Sequence, residues 1–209
     1  MIQYTERDIN FTRKIVKAMM LKGSALEFVF DDMHFRLKDN TLKLAWVHGK
    51  LKDVLEIPSL VPGENKFIDS LQYKISTIHN KTIKCLKVIC RGGLTDTSEM
   101  FSECVALKHL DITELNTSKV THMQRMFFSC KELEELDLSN FNTSKVTTMF
   151  QMFYDCNNVR ELDMSKFDTS QVLEMSSMFY GCNSLNKLDL RSFNTSKSRR
   201  YVIYVLQLQ

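Results

Sequence analysis

From about Leu107 to Phe193 the apolar positions of this chain recur every 26 residues. A period of that length belongs to stacked-repeat architectures, in which one copy buries its apolar face against the next. In one full copy the slots are Leu133, Leu136, Leu138, Phe141, Val146, Met149, Met152, Phe153 and Cys156. Upstream they are Leu107, Leu110, Ile112, Leu115, Val120, Met123, Met126, Phe127 and Cys130. Downstream they are Val159, Leu162, Met164, Phe167, Val172, Met175, Met178, Phe179 and Cys182. A fourth copy opens with Leu185, Leu188, Leu190 and Phe193 and then breaks.

Two periods coexist inside a copy. Leu136 and Leu138 alternate with Glu135, Asp137 and Ser139, so they predict a short strand with leucines inward and polar residues outward. Met149, Met152, Phe153 and Cys156 follow the i, i+3, i+4, i+7 spacing of one helical face, which predicts a two-turn helix. Each copy is therefore expected to be a strand, a turn and a short helix, and Thr121-His-Met-Gln124 has the form of a helix-capping box.

Ahead of the repeats, Thr5 is an expected N-cap with Asp8 three positions on. Ile9, Ile15, Val16, Met19 and Met20 then mark a helix ending at Gly23. Leu26-Phe28-Phe30, Met33-Phe35-Leu37 and Leu42-Leu44-Trp46 alternate as an antiparallel meander would. A strand is expected from Leu55 up to the prolines at 58 and 62, and 64–82 receives no element. Leu86-Lys-Val-Ile89 aligns with Leu107-Lys-His-Leu110 as a degenerate first repeat at a spacing of 21, completed by Met100, Phe101 and Cys104. The pattern is lost after Ser196, and Tyr201–Leu206 reads as a strand that closes the stack or marks a truncated array. An apolar edge there would pair with a second copy, giving a homo-oligomer. The expected organisation is an α/β capping region over 1–82, a solenoid over 83–198 and a closing strand or tail over 199–209.

The stretch Leu-Asp-Leu-Ser-Asn-Phe-Asn-Thr-Ser-Lys-Val-Thr-Thr-Met-Phe-Gln-Met-Phe-Tyr-Asp-Cys, residues 136–156, resembles the BspA-type leucine-rich repeat. The resemblance is strong over 98–197 and weaker over 83–97. It implies an α/β leucine-rich-repeat solenoid, with parallel short strands on one side and short helices on the other, here behind an N-terminal helix-and-meander cap. It also implies a binding module of the kind found in repetitive microbial surface proteins, often exported and linked to adhesion.

Composition is that of a folded chain, with 44% apolar and 25% charged residues among 209. Net charge is +3; residues 1–90 carry 15 Lys and Arg against 10 Asp and Glu, and the remainder 13 against 15. An asymmetry this mild argues against nucleic acid, although Arg13, Lys14, Lys17 and Lys22 on the first helix are where such binding would occur. The start lacks the basic and apolar regions of a secretory signal and no run is long enough to span a bilayer, so a cytoplasmic protein is expected, or a surface one if a leader has been lost.

Cys104, Cys130, Cys156 and Cys182 recur at the repeat spacing and would stack roughly 5 Å apart. They share a face with Met and Phe, which favours buried thiols over disulfides or a metal. Asp111, Asp137, Asp163 and Asp189 form a second row, read as solvated carboxylates helped by Lys108, Arg160, Lys187 and Arg191. The Asn-Thr-Ser or Asp-Thr-Ser triplets at 116, 142, 168 and 194 suit turns that bond their own backbone. No phosphate loop, His-Glu-x-x-His, nucleophile elbow or paired histidine appears among His34, His48, His79, His109 and His122, so no enzyme activity, cofactor or metal is expected.

Function is expected on the outward strand positions: His109, Asp111, Thr113, Glu135, Asp137, Ser139, Glu161, Asp163, Ser165, Lys187, Asp189 and Arg191. These would contact a protein partner, as an inhibitor or effector would inside a cell. The alternatives are a fragment of an adhesion protein, which the resemblance favours, and nucleic-acid binding through the basic N-terminal region.

Overall fold

The computed structural model describes residues 5–20, 26–30, 33–38, 41–47, 54–56, 72–74, 84–90 and 94–198. The expected helix end at Gly23, the side chains of Val16, Met19 and Met20, and the tail strand at 201–206 lie outside the described residues.

Helix α1 (Glu6–Met20) begins as its sequence dictates. The Thr5 N–H donates to Asp8 Oδ2 at 2.8 Å and the Asp8 N–H donates to Thr5 Oγ1 at 3.2 Å, so both end groups are satisfied reciprocally. Its buried face carries Phe11 and Ile15. Phe11 packs edge-on to Phe30 at 4.9 Å between ring centroids and lies 5.0 Å from Phe35. Those rings come from the meander β1 (Leu26–Phe30), β2 (Met33–Lys38) and β3 (Thr41–Val47), antiparallel throughout.

Strand β4 (Val54–Glu56) does not join that sheet; it pairs in parallel with β6 (Cys85–Cys90). The meander is instead extended by β5 (Gln72–Lys74), parallel to β3, in a stretch where the sequence pattern predicts nothing. Strand β6 pairs in parallel with β7 (His109–Leu115), and β8 (Glu161–Asp163) with β9 (Lys187–Asp189). In its strand half the copy between contributes the parallel bridge His109 to Glu135, and in its turn half Thr148 bridges His122 and Glu174. The sheet of the repeats thus reaches back across residue 82, the expected edge of the capping region.

The Met-Phe-Cys half of each copy is a correction to the expected short helices. Among the described residues α1 is the α-helix, and 121–130, 147–156 and 173–182 are chains of tight turns. The Met152 N–H donates back to the Met149 carbonyl and the Cys156 N–H to that of Phe153, both at 3.2 Å. The third residue of each turn has positive φ, as a type II turn requires: Gln151 at 53° and Asp155 at 57°, Arg125 at 54° and Ser129 at 55°. Methionine pairs and Phe–Cys pairs occupy the first and last corners of these turns, so they reproduce the burial of a helical face without a helix. All of Met149, Met152, Phe153 and Cys156 are buried.

The N–H groups that a helix would use internally bond to the next copy instead. Met123, Arg125, Phe127 and Ser129 donate to the carbonyls of Thr148, Phe150, Met152 and Tyr154, at 2.7 to 3.0 Å. The sets that start at Thr97 and Met149 do the same, each reaching 25 residues ahead. Inside this ladder Phe101, Phe127, Phe153 and Phe179 form one column, with centroids 5.2 to 5.8 Å apart and planes within 9° of parallel. The expected capping box at Thr121 is likewise a link between copies. Its N–H and hydroxyl both donate to the Thr95 carbonyl, at 2.8 and 3.1 Å.

The central threonine of the triplets at 116, 142 and 168 is buried and also works between copies. Thr143 Oγ1 donates to the Asp168 carbonyl at 3.0 Å and accepts the Asp168 N–H at 2.8 Å. Thr117 does this with Asn142 and Thr169 with Asn194. The flanking residues stay local: Asn142 Oδ1 accepts the N–H of Ser144 at 3.1 Å.

Two substitutions test these columns. Phe153→Ala removes a fully buried ring stacked on both sides and is expected to cost about 3–5 kcal/mol in urea denaturation. Thr143→Val keeps the shape but strands the Asp168 N–H, and is expected to cost about 1–3 kcal/mol, against under 0.5 kcal/mol for the exposed Ser144→Ala.

Candidate functional site

The strand half of each copy has the alternation its sequence predicts. Leu136 and Leu138 are buried, while Glu135, Asp137 and Ser139 are exposed. Parallel pairing then lines up equivalent residues: Lys87 faces Asp111, His109 faces Glu135, Glu161 faces Lys187 and Asp163 faces Asp189. Outward side chains of successive copies therefore form rows across one concave face, with strands about 4.8 Å apart.

That face holds a concavity of about 1000 Å³. It brings together eleven of the twelve expected positions: His109, Asp111, Thr113, Glu135, Asp137, Glu161, Asp163, Ser165, Lys187, Asp189 and Arg191. Ser139 is exposed outside the lining, and its N–H donates to Asp137 Oδ1 at 2.8 Å. Glu134 and Arg160 also line it. They sit just before the strand, where the four copies carry Lys108, Glu134, Arg160 and Asn186, a slot with no constant character for a sequence pattern to register. Asn140 is a further residue missed. Its amide donates to the carbonyls of Ile112, Thr113 and Leu115 at 3.0 to 3.1 Å, tying two copies together beside a separate, shallower depression that it shares with Thr113 and Asn142.

The lining carries seven carboxylates (Asp111, Glu134, Glu135, Asp137, Glu161, Asp163, Asp189) against three cations (Arg160, Lys187, Arg191), a net of −4. Lys87 and Lys108, which pair with Asp111 and Glu134 from just outside this lining, bring the face to −2, against +3 for the whole chain. Ion pairs gather at the margins of the face. Lys87 lies 3.0 Å from Asp111 and 3.4 Å from Glu114, Lys108 3.0 Å from Glu134 and Lys187 2.9 Å from Glu161; Arg191 pairs with Asp189. The expected helpers of the aspartate row are thereby redistributed. Lys108 and Lys187 serve glutamates, and Lys87 takes Asp111.

Each aspartate of the row is fixed by the residue two positions on. Asp111 Oδ1 accepts the Thr113 hydroxyl at 2.6 Å and N–H at 3.1 Å; Asp163 Oδ1 accepts the Ser165 N–H at 2.9 Å. These bonds favour the charged form. Asp111 is held down at about 2, first by Thr113 and then by Lys87, and Asp189 at about 2 by Arg191. Asp137 and Asp163 are lowered by Ser139 and Ser165. No group of three or more His, Cys, Asp or Glu among the described residues is arranged to hold a metal ion.

The cysteine ladder sits in the core. Cys130, Cys156 and Cys182 each donate S–H to the carbonyl of Phe101, Phe127 or Phe153 in the copy before, at 3.1 Å. Burial pushes Cys104 and Cys182 up to about 12 and the other two well above the ordinary thiol range. Protonated thiols of this kind are poor nucleophiles and poor ligands. On the turn side an outer column of Phe128, Tyr154 and Tyr180 stacks at 4.8 to 5.0 Å, with the Arg125 guanidinium 5.3 Å from the Phe128 ring.

Residues 95–204 match the model of the family described as Mycoplasma protein of unknown function, DUF285, which is 110 of the 209 residues. The chain belongs to this family. The match covers the second half of the degenerate first copy and the four that follow, so the repeats are what the family shares. No curated protein and no solved structure matches the chain. No helix among the described residues is long and apolar enough to cross a membrane.

Because the folded-state values of Asp111 and Asp189 lie below the ordinary 3.8, their stabilisation is complete above pH 4 and is lost as pH falls toward 2. The urea midpoint is expected to drop over that window. Asp111→Asn should lower the midpoint at pH 7 and flatten the acid slope, and an unchanged slope would show that Asp111 carries no linked proton.

Proposed function

We propose that this protein is a non-enzymatic binding module: a BspA-type leucine-rich-repeat solenoid of the α/β class that holds a partner protein on its concave strand face. The single observation that carries this is the concavity itself, which collects eleven exposed or half-exposed polar positions from four successive copies on one surface. Solenoids present extended curved surfaces of this kind to partners. The residues on this face are held by strand pairing and Asx turns, so little entropy is lost when they are engaged.

The reading of the repeats as a solenoid rests on parallel pairing and on hydrogen bonds at a constant offset of 25 or 26 residues. The helical side of such a repeat is replaced here by turns, a variation within the same stacking principle.

The test is affinity capture with the tagged protein from lysate of its source cells, followed by mass spectrometry and repeated with Asp137→Lys/Glu161→Lys. Both side chains are exposed, so folding should survive while a strand-face partner is lost at least about tenfold. A partner retained equally by both proteins would remove the strand face from the proposal.

A further inference from the structure

The chemistry of the partner can be read from the way charge is distributed over the concave face, on the premise that this face is the binding surface. The margins of the face are self-neutralised. Lys87 occupies Asp111 at one end, and Lys187 and Arg191 occupy Glu161 and Asp189 at the other. At the centre Glu135, Asp137 and Asp163 form no ion pair among the described residues, although all three are exposed and line the concavity; Lys166 acts on Asp137 and Asp163 only from beyond ion-pair distance. Asp137 and Asp163 are aimed by the N–H groups of Ser139 and Ser165, so they are prepositioned as well as ionised.

The sign runs against that of the chain. A net +3 protein carries −2 on this concave face once Lys87 and Lys108 are counted with the lining, and this separation places the complementary charge on whatever fills it. Phosphate-bearing ligands would be repelled by the same centre. An anionic protein surface would have to bury three carboxylates against its own, a like-charge contact that costs several kcal/mol. We propose that the concave face takes a cationic segment of a partner protein, with arginine or lysine side chains pairing to Glu135, Asp137 and Asp163. Arginine fits best, because its planar fork can engage a carboxylate bidentately while its stem lies against the strand backbone of Leu136 and Leu162.

The probe is a fluorescently labelled hexa-arginine peptide, with hexa-glutamate as the opposite-sign control, followed by anisotropy over a range of salt. The wild-type chain is expected to bind hexa-arginine and not hexa-glutamate, losing about tenfold in affinity between low and physiological salt. The triple variant Glu135→Gln/Asp137→Asn/Asp163→Asn keeps the side-chain oxygens that accept the Ser139 and Ser165 N–H groups, so its melting temperature should hold while hexa-arginine affinity falls at least about tenfold. Glu135→Gln alone breaks no hydrogen bond among the described residues and should lose about threefold. Neutralising three exposed carboxylates elsewhere, Glu103→Gln/Glu132→Gln/Asp168→Asn, should leave binding unchanged.

Equal loss in both triple variants would mean that only net charge is sensed and would overturn the proposal, as would absent hexa-arginine binding at low salt. A captured partner that is lost on the bulky Ser165→Trp but kept on the neutral triple variant would leave the strand face as the binding surface and sink its cationic occupant.

Discussion

The structure depends on a row of backbone hydrogen bonds that run from one copy to the next through the turn half. Four N–H groups per copy, at every second residue, donate to carbonyls 25 positions ahead. A helix could not do this, because its N–H groups are spent four residues back. Turning them outward requires the backbone to reverse at every fourth residue, and the structure does so with positive φ at Glu99 and Glu103, Arg125 and Ser129, Gln151 and Asp155, Ser177 and Gly181. Each non-glycine residue there costs about 1 kcal/mol. What offsets that cost is that the bond partner is another copy of the same turn, so every strained residue is repeated at the position where its neighbour needs it. At Gly181 the requirement is steric as well: a Cβ would stand 2.2 Å from Asp155 Oδ1.

Side-chain columns follow from that ladder. Once the backbone offset is fixed, Phe101, Phe127, Phe153 and Phe179 have no choice but to stack, and the cysteine thiols meet the carbonyl one copy back. The buried threonines perform the same task at the opposite corner of the coil. A hydroxyl both accepts and donates to one residue of the next copy, so a slip of a single position would leave both bonds unmade. Register is thereby enforced at two corners, which keeps the strand rows level and the concave face regular.

The alternation of the strand face was legible because its signal is the simplest one available: period two places Glu135, Asp137 and Ser139 outward, while Glu134 and Arg160, in a slot of no constant character, left no such signal. The turn half was legible in burial and illegible in conformation. A chain of two tight turns puts its first and fourth residues inward, and that is the i, i+3, i+4, i+7 pattern of a helical face, so Met149, Met152, Phe153 and Cys156 look the same either way. The discriminating signal lay in the residues between them. The slot occupied by Ser129, Asp155 and Gly181 holds residues that tolerate left-handed φ and weaken helices. The threonines were read as local turn formers because their neighbours are; only the fold reveals that Thr117, Thr143 and Thr169 face the next copy. Strand β5 left no trace, since three residues pairing with a distant strand generate no period.

The acidic centre of the concave face makes no contribution that the ladder needs. The copies would stack as well with serine or asparagine at 135, 137 and 163, because the Asx turns require an acceptor oxygen and not a charge. Like charges about 5 Å apart oppose one another even in water, so carboxylates at those positions cost the folded chain a little and return nothing to it. At the margins Lys87, Lys187 and Arg191 remove that cost, and the same device was open to the centre, where an outward lysine at one of the paired positions would have sufficed. A surface that pairs its edges and leaves its middle without ion pairs carries charge that the stacking does not require, and the proposed cationic partner rests on that difference.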